Sequence, residues 1–127
     1  MSRLRRLSRK DLGRALDAHE DGQGADLSRH DLRDADLSRR DLSGVSFRGS
    51  DMRGADMSAS DFTGADLSNA LLIDVDLSGS TLIGANLSWS DMTGANTAEA
   101  TMTGANMTGT VLPGARWTHT RTDRGPT

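Results

Sequence analysis

The sequence predicts an all-β protein built as a stacked solenoid, and three observations carry that prediction. Large apolar side chains recur every five residues from Leu27 to Trp117, through Leu32, Leu37, Leu42, Phe47, Met52, Met57, Phe62, Leu67, Leu72, Leu77, Leu82, Leu87, Met92, Met102, Met107 and Leu112, with Thr97 as the one break. A period of five fits neither the 3.6 of a helix nor the 2 of a strand. A unit this short buries its apolar face only by stacking on its neighbours. Second, a small residue precedes most centres by two. Ala25 and Leu27 have this strand spacing, with Asp26 between them facing the other way. Third, Gly follows the centre by two residues in many units, Gly44 and Gly114 among them, where a tight corner uses its freedom at positive φ.

The units Ala25-Asp26-Leu27-Ser28-Arg29, Ala55-Asp56-Met57-Ser58-Ala59, Ala65-Asp66-Leu67-Ser68-Asn69 and Ala85-Asn86-Leu87-Ser88-Trp89 resemble the pentapeptide-repeat family. The resemblance covers 93 of the 127 residues. It implies a right-handed, four-sided parallel β-helix with one unit per side and twenty residues per coil. Those 93 residues would make about 4.65 coils, roughly 20 Å of axis at the usual strand spacing. At period twenty, two small columns hold only Ala and Val, as in Ala25-Val45-Ala65-Ala85-Ala105. The other two turn to hydroxyls after the first coil, as in His30-Ser50-Ala70-Ser90-Thr110. Large and small side chains then alternate in a narrow, densely packed lumen.

Taken in order, residues 1–24 precede the repeat and are expected to form an N-terminal cap or a flexible leader. Leu4, Leu7, Leu12, Ala15 and Leu16 fall largely on one face of a short helix. Gly13 weakens that helix by roughly 1 kcal/mol, and Gly22 and Gly24 suggest a break before Ala25. A solenoid end exposes core and strand edge, so it needs a cover. The cluster Arg3, Arg5, Arg6, Arg9 and Lys10 is too short to define a nucleic-acid arm. His30 and Arg40 occupy inward positions of the first coil that suit smaller residues, which predicts packing or hydrogen bonding at that end. The solenoid is expected over residues 25–117. Thr97 should leave a void, a bulge or a narrowing, and its hydroxyl needs a partner. Residues 118–127 lose the large apolar centres and are expected to form a flexible tail, with Trp117 as plug or two chains meeting end to end. The resemblance adds that some family members form dimers joined at a C-terminal end.

Composition narrows the function. There is no Cys, which excludes disulfides and thiolate chemistry. No run of 18 apolar residues offers a membrane-spanning helix. The Arg-rich start lacks an apolar signal core, which predicts a cytoplasmic protein. There is no metalloprotease motif, no phosphate-binding glycine loop and no nucleophile with a His–Asp partner, so no catalytic residue, cofactor or metal is expected. His19 and His119 lie outside the repeat without ligand spacing.

Two surfaces remain as candidates. The first is acidic. Residues 54–117 hold seven acidic residues against Arg116 alone, a net charge of −6, whereas six Asp and six Arg balance in 25–53. The column Asp36-Asp56-Asp76-Asn96 runs up one side, flanked by Asp41-Asp61, with Asp66 and Asp91 on other sides. These carboxylates suit solubility and bonding to corner amides. Members of the family resembled here include DNA-like proteins that bind DNA gyrase or another type II topoisomerase, and that resemblance offers the same acids as a phosphate-like surface. The acidic rod argues against direct nucleic-acid binding. The second surface is apolar: Leu71, Ile73 and Val111 share a side, and Trp89 stands at an adjoining corner. Such a cluster marks either incidental exposure or an interface with a partner or a second copy. The functional expectation is a non-catalytic solenoid acting as a protein-interaction or structural scaffold for an unspecified partner.

Overall fold

A computed structural model describes residues 4–17, 24–123 and 125–126. Arg3, His19 and Gly22 lie outside the described residues, as do residues 124 and 127 of the expected tail.

From residue 26 onward, each five-residue unit pairs with the unit twenty residues later. Parallel bridges join Asp26 to Ser46, Asp31 to Asp51, Asp36 to Asp56 and Asp41 to Asp61, and the same offset repeats up to Thr101 and Arg121. Four consecutive units therefore face four directions, here called walls one to four in that order. Each rung contributes a single bridging residue rather than a long strand, because the chain must turn again within five residues. The N–H of Leu27 donates to the carbonyl of Ser46 at 2.7 Å, and the N–H of Ser46 to that of Ala25 at 2.9 Å. This two-way exchange recurs along the walls.

The corners explain the glycines. Each is a four-residue turn in which the centre's carbonyl accepts the N–H three residues on, as from Ala55 to Met52 at 3.0 Å. The third residue of that turn has positive φ. Glycine serves at many corners, but Arg29, Arg39, Ala59, Trp89 and Glu99 adopt φ of 55° to 61° as well. For side-chain-bearing residues this conformation costs on the order of 1 kcal/mol each.

Every centre from Leu27 to Met92 is buried, and Phe47 meets Phe62 edge-on with ring centroids 6.0 Å apart. The inward hydroxyls link neighbouring rungs. Ser60 donates to the carbonyl of Leu37 at 2.7 Å and accepts the N–H of Arg40 at 3.0 Å. His30 sits at the equivalent place in the first rung, half-buried, its Nδ1 2.7 Å from the carbonyl of Ser28. Thr97 causes neither a bulge nor a break in the rungs. Its hydroxyl donates to the carbonyl of Arg116 at 2.6 Å, and Thr120 donates to the Thr97 carbonyl at 2.6 Å.

The two ends differ. Strand β1 (Arg5–Arg6) pairs in parallel with β2 (His30–Asp31), extending wall two by one rung. Helix α1 (Arg9–Asp17) is capped by Ser8, whose hydroxyl accepts the N–H of Asp11 at 3.0 Å, and it buries Leu12 and Leu16 in the common core. At the other end the stack outlasts the boundary expected at Trp117. Thr120 is fully buried, Arg121 bridges Thr101, and β3 (Arg121–Thr122) pairs with β4 (Gly125–Pro126) in antiparallel fashion. The tail expected from Thr118 is thus a further rung through Arg121. Its hydroxyl and backbone groups hold it where no large apolar centre does.

Candidate interaction surfaces

The outward Asp and Asn residues have a local task in every wall. The carboxylate sits one residue before the centre, and its Oδ1 accepts the N–H two residues on, closing the corner as an Asx turn. Asp36 accepts from the Ser38 N–H at 3.1 Å and hydroxyl at 2.6 Å, and Asp56 from the same groups of Ser58 at 3.1 and 2.6 Å. Asp76 does so with Ser78, Asp41 with Ser43, Asp66 with Ser68, and Asp91 with Thr93. Asp61 takes the Thr63 N–H at 2.9 Å. All seven acids proposed as a phosphate-like surface are therefore also turn caps. The hydroxyl of Ser38, then its N–H, holds the Asp36 carboxyl below the ordinary range, with smaller contributions from Arg40 and Arg9. Ser43 does the same for Asp41.

Stacking brings only some of these acids together. Asp36, Asp56 and Asp76 occupy successive rungs of wall three, which then continues with Asn96 and Arg116. Asp41 and Asp61 are successive on wall four before Thr81. Asp66 and Asp91 stand on walls one and two, apart from both columns. The lower part of wall two is neutralised: Arg33 grips Asp31 at 2.9 and 2.8 Å, and Arg53 grips Asp51 at 2.9 and 2.6 Å. Arg6 of β1 adds a contact to Asp31 at 3.1 Å. The Arg33 hydrogen bonds hold the Asp31 carboxyl far below its usual range, and Arg53 lowers that of Asp51.

Wall two also carries the apolar candidates. Leu71, Asp91 and Val111 occupy successive rungs, with Leu71 and Val111 exposed and Ile73 half-buried. The patch is therefore interrupted by one carboxylate. Trp89 is 65% exposed at the corner between walls one and two, with φ of 61°. Its indole lies across Gly109 of the next rung, so closely that a Cβ there would fall 2.6 Å from Trp89 Cδ2. The sequence marks Trp89 but not the glycine that seats it, since glycines occupy so many corners.

The C-terminal end forms a third surface. A cavity of about 320 Å³ is lined by Met102, Ala105, Met107, Leu112, Trp117, Thr122 and Asp123. Met107, Leu112 and Trp117 are only partly buried there. Asp123 caps one edge by accepting the Gly104 N–H at 2.7 Å. Thr120 and Asp123 carry no apolar signal in the sequence, where the large apolar centres stop at Trp117; the five-residue count itself leads to Thr120. Among the described residues no cluster of His, Asp or Glu could hold a metal ion, and no helix is long and apolar enough to cross a membrane.

Stacked twenty-residue turns with Asx-closed corners define a repeat solenoid. The chain belongs to the pentapeptide-repeat family: the family model described as pentapeptide repeats matches in eight copies, over residues 31–69, 41–79, 60–96 and 70–109. Known structures of this family are right-handed β-helices. Similar solved structures include the pentapeptide-repeat protein Rfr23 from the cyanobacterium Cyanothece 51142, 30% identical over 65% of this chain and 59% of that one, with a TM-score of 0.37. AT2G44920, from the Arabidopsis thaliana thylakoid lumen, is 32% identical over 77% and 61%, with a TM-score of 0.39. QnrB1, a plasmid-mediated fluoroquinolone resistance protein, is 23% identical over 76% and 66%, with a TM-score of 0.42. The chain thus spans about three fifths to two thirds of the length of these proteins. No curated protein matches it.

Proposed function

We propose that this chain is a non-catalytic interaction scaffold whose C-terminal end seats a second copy of itself. One observation carries the reading: the N-terminal end is covered by α1 and β1, while the opposite end leaves Met107, Leu112 and Trp117 half-covered around an apolar cavity. The backbone at that end is self-complementary. The carbonyl of Ala105 and the N–H of Met107 flank Asn106 and have no rung above them among the described residues. The Thr110 carbonyl and Leu112 N–H stand likewise on wall two. In an antiparallel pair, a carbonyl before and an N–H after an unbonded residue match the same two groups on the opposing strand. A two-fold axis across the stack, through the corner between these walls, sets the wall-one edge against the second copy's wall-two edge and covers the apolar cavity in an isologous interface. Sedimentation velocity from about 1 to 100 µM tests it. The wild-type chain should pass from monomer to dimer, and Leu112→Asp should remain monomeric. A wild-type monomer throughout this range would exclude the association.

A second reading, binding to a type II topoisomerase as a DNA mimic, is favoured by the acidic upper body and by the successive carboxylates Asp36, Asp56 and Asp76. The column is short, however. Arg9 and Arg40 act on Asp36, Asn96 and Arg116 end the series, and duplex DNA carries a charge every ~1.7 Å. Salt-sensitive binding to purified DNA gyrase, weakened by joint Asp56→Asn and Asp76→Asn, would support this reading. Unaltered supercoiling at micromolar protein would remove it.

A further inference from the structure

The corner at Trp89 is costly for folding. A bulky residue at positive φ is strained, and 65% of this one faces solvent. Gly109 lacks the Cβ that would displace the ring, so the indole lies along the wall with its outer face presented. The surroundings carry one sign of charge. On walls one and two, the rung below (65–74), the rung of Trp89 (85–94) and the rung above (105–114) hold Asp66, Asp74 and Asp91 and no Lys or Arg. Asp91 spends one oxygen on Thr93, accepting its N–H at 3.0 Å and its hydroxyl at 2.5 Å, and no other described group bonds the second oxygen. Leu71 and Val111 lie in the rungs on either side of Asp91.

An indole face is the strongest aromatic acceptor for a cation, and the two walls that meet at this corner carry carboxylates and no cationic side chain over these three rungs. We infer that this corner is a docking surface for a basic segment of a partner protein, with a Lys or Arg of that segment over the Trp89 ring and its apolar neighbours on Leu71 and Val111. The inference does not depend on end-to-end association, because Trp89 faces sideways from the stack.

The test titrates the chain with a labelled decapeptide of alternating Arg and Leu, and with a counterpart in which Gln replaces each Arg. Trp117→Phe leaves Trp89 as the only indole. The Arg peptide should change Trp89 emission and bind by anisotropy. Affinity should fall about tenfold in Trp89→Ala, recover in part in Trp89→Phe, and weaken several-fold in Asp91→Asn. Leu112→Asp should leave it unchanged, which separates this surface from the C-terminal one. Circular dichroism and melting confirm that each variant is folded. Equal binding by Trp89→Ala, or equal binding of the Gln peptide, would overturn the inference.

Discussion

Gly109→Ala perturbs the Trp89 corner with one methyl group, and the structure predicts its cost in two parts. Gly109 has φ of 68°, so any side chain there incurs left-handed strain of about 1 kcal/mol. Gly64→Ala isolates that part: Gly64 has φ of 67°, and an added Cβ meets nothing within 4 Å. At Gly109 the same Cβ falls 2.6 Å from Trp89 Cδ2 and closer to Cε3 and Cζ3, so the ring must swing away. With Trp89 65% exposed, about a third of its surface is covered. Uncovering ~80 Å² of a ~250 Å² side chain forfeits at most about 2 kcal/mol at ~25 cal/mol per Å². Gly109→Ala should therefore cost up to ~3 kcal/mol where Gly64→Ala costs ~1 kcal/mol. Urea unfolding with constant m measures both. In a Trp89→Ala background the excess should vanish, since the cycle removes the ring from both sides of the comparison. Equal costs at the two glycines, or an excess that survives without Trp89, would refute the seating of the indole.

Three other changes probe the stack. Thr120→Val removes the donor to the Thr97 carbonyl within a fully buried pair; denaturant midpoints should show a loss of about 1–3 kcal/mol, largely restored by Thr120→Ser. Leu16→Ala should cost about 2–5 kcal/mol and loosen the first rungs, where Leu16 is buried, before the distant ones. Hydrogen exchange would resolve that gradient. The carboxyls of Asp26, Asp31, Asp36, Asp41 and Asp51 are all depressed in the folded chain from an ordinary value of 3.8. Their contribution is therefore complete above that value and lost as pH falls below about 4. Melting temperature should drop through that window, and Asp31→Asn, which removes the most depressed group, should flatten the slope.

Most of the architecture was legible because the repeat acts at two levels. The apolar centre every five residues gives the core, and the twenty-residue columns anticipate which residues stack, down to the hydroxyls that bond across rungs. Reading fails where the apolar signal fades while the geometry persists. Thr120 keeps the five-residue register, yet the next centre is Thr122. Hydrogen bonds to Thr97 and Gly104 secure this last rung where burial alone would not. Nor does the sequence reveal β1, because two arginines carry no strand pattern; the pairing depends on an open edge at His30–Asp31. The acidic surface was visible as charge. Its role in closing corners appears once each Asp Oδ1 meets the N–H two residues on, a relation that Asp-x-Ser and Asp-x-Thr encode locally. The apolar surface is visible as residues, whereas the flat seat of Trp89 on Gly109 arises only from the packing of two rungs twenty residues apart.

The contrast between the two ends leads to a prediction that separates fraying from association. In a solenoid each rung is held by its neighbours, so a terminal rung with one neighbour opens most easily. At the N-terminal end α1 supplies a second neighbour through Leu12 and Leu16. At the C-terminal end the N–H groups of Met107, Gly109, Leu112 and Gly114 have no rung to donate to among the described residues. As a monomer, these amides should exchange with little protection while those of Met52 and Met57, bonded to Leu71 and Asp76 at 2.9 and 2.8 Å, remain protected. If a second copy covers the end, protection at Met107 and Leu112 should rise with protein concentration, following mass action. Gly109 and Gly114 should follow more weakly, being further from the paired residues Asn106 and Val111. The Met52 and Met57 amides should not respond. Protection at Met107 and Leu112 that stays constant from about 1 to 100 µM would mean that the open end remains uncovered by a second copy.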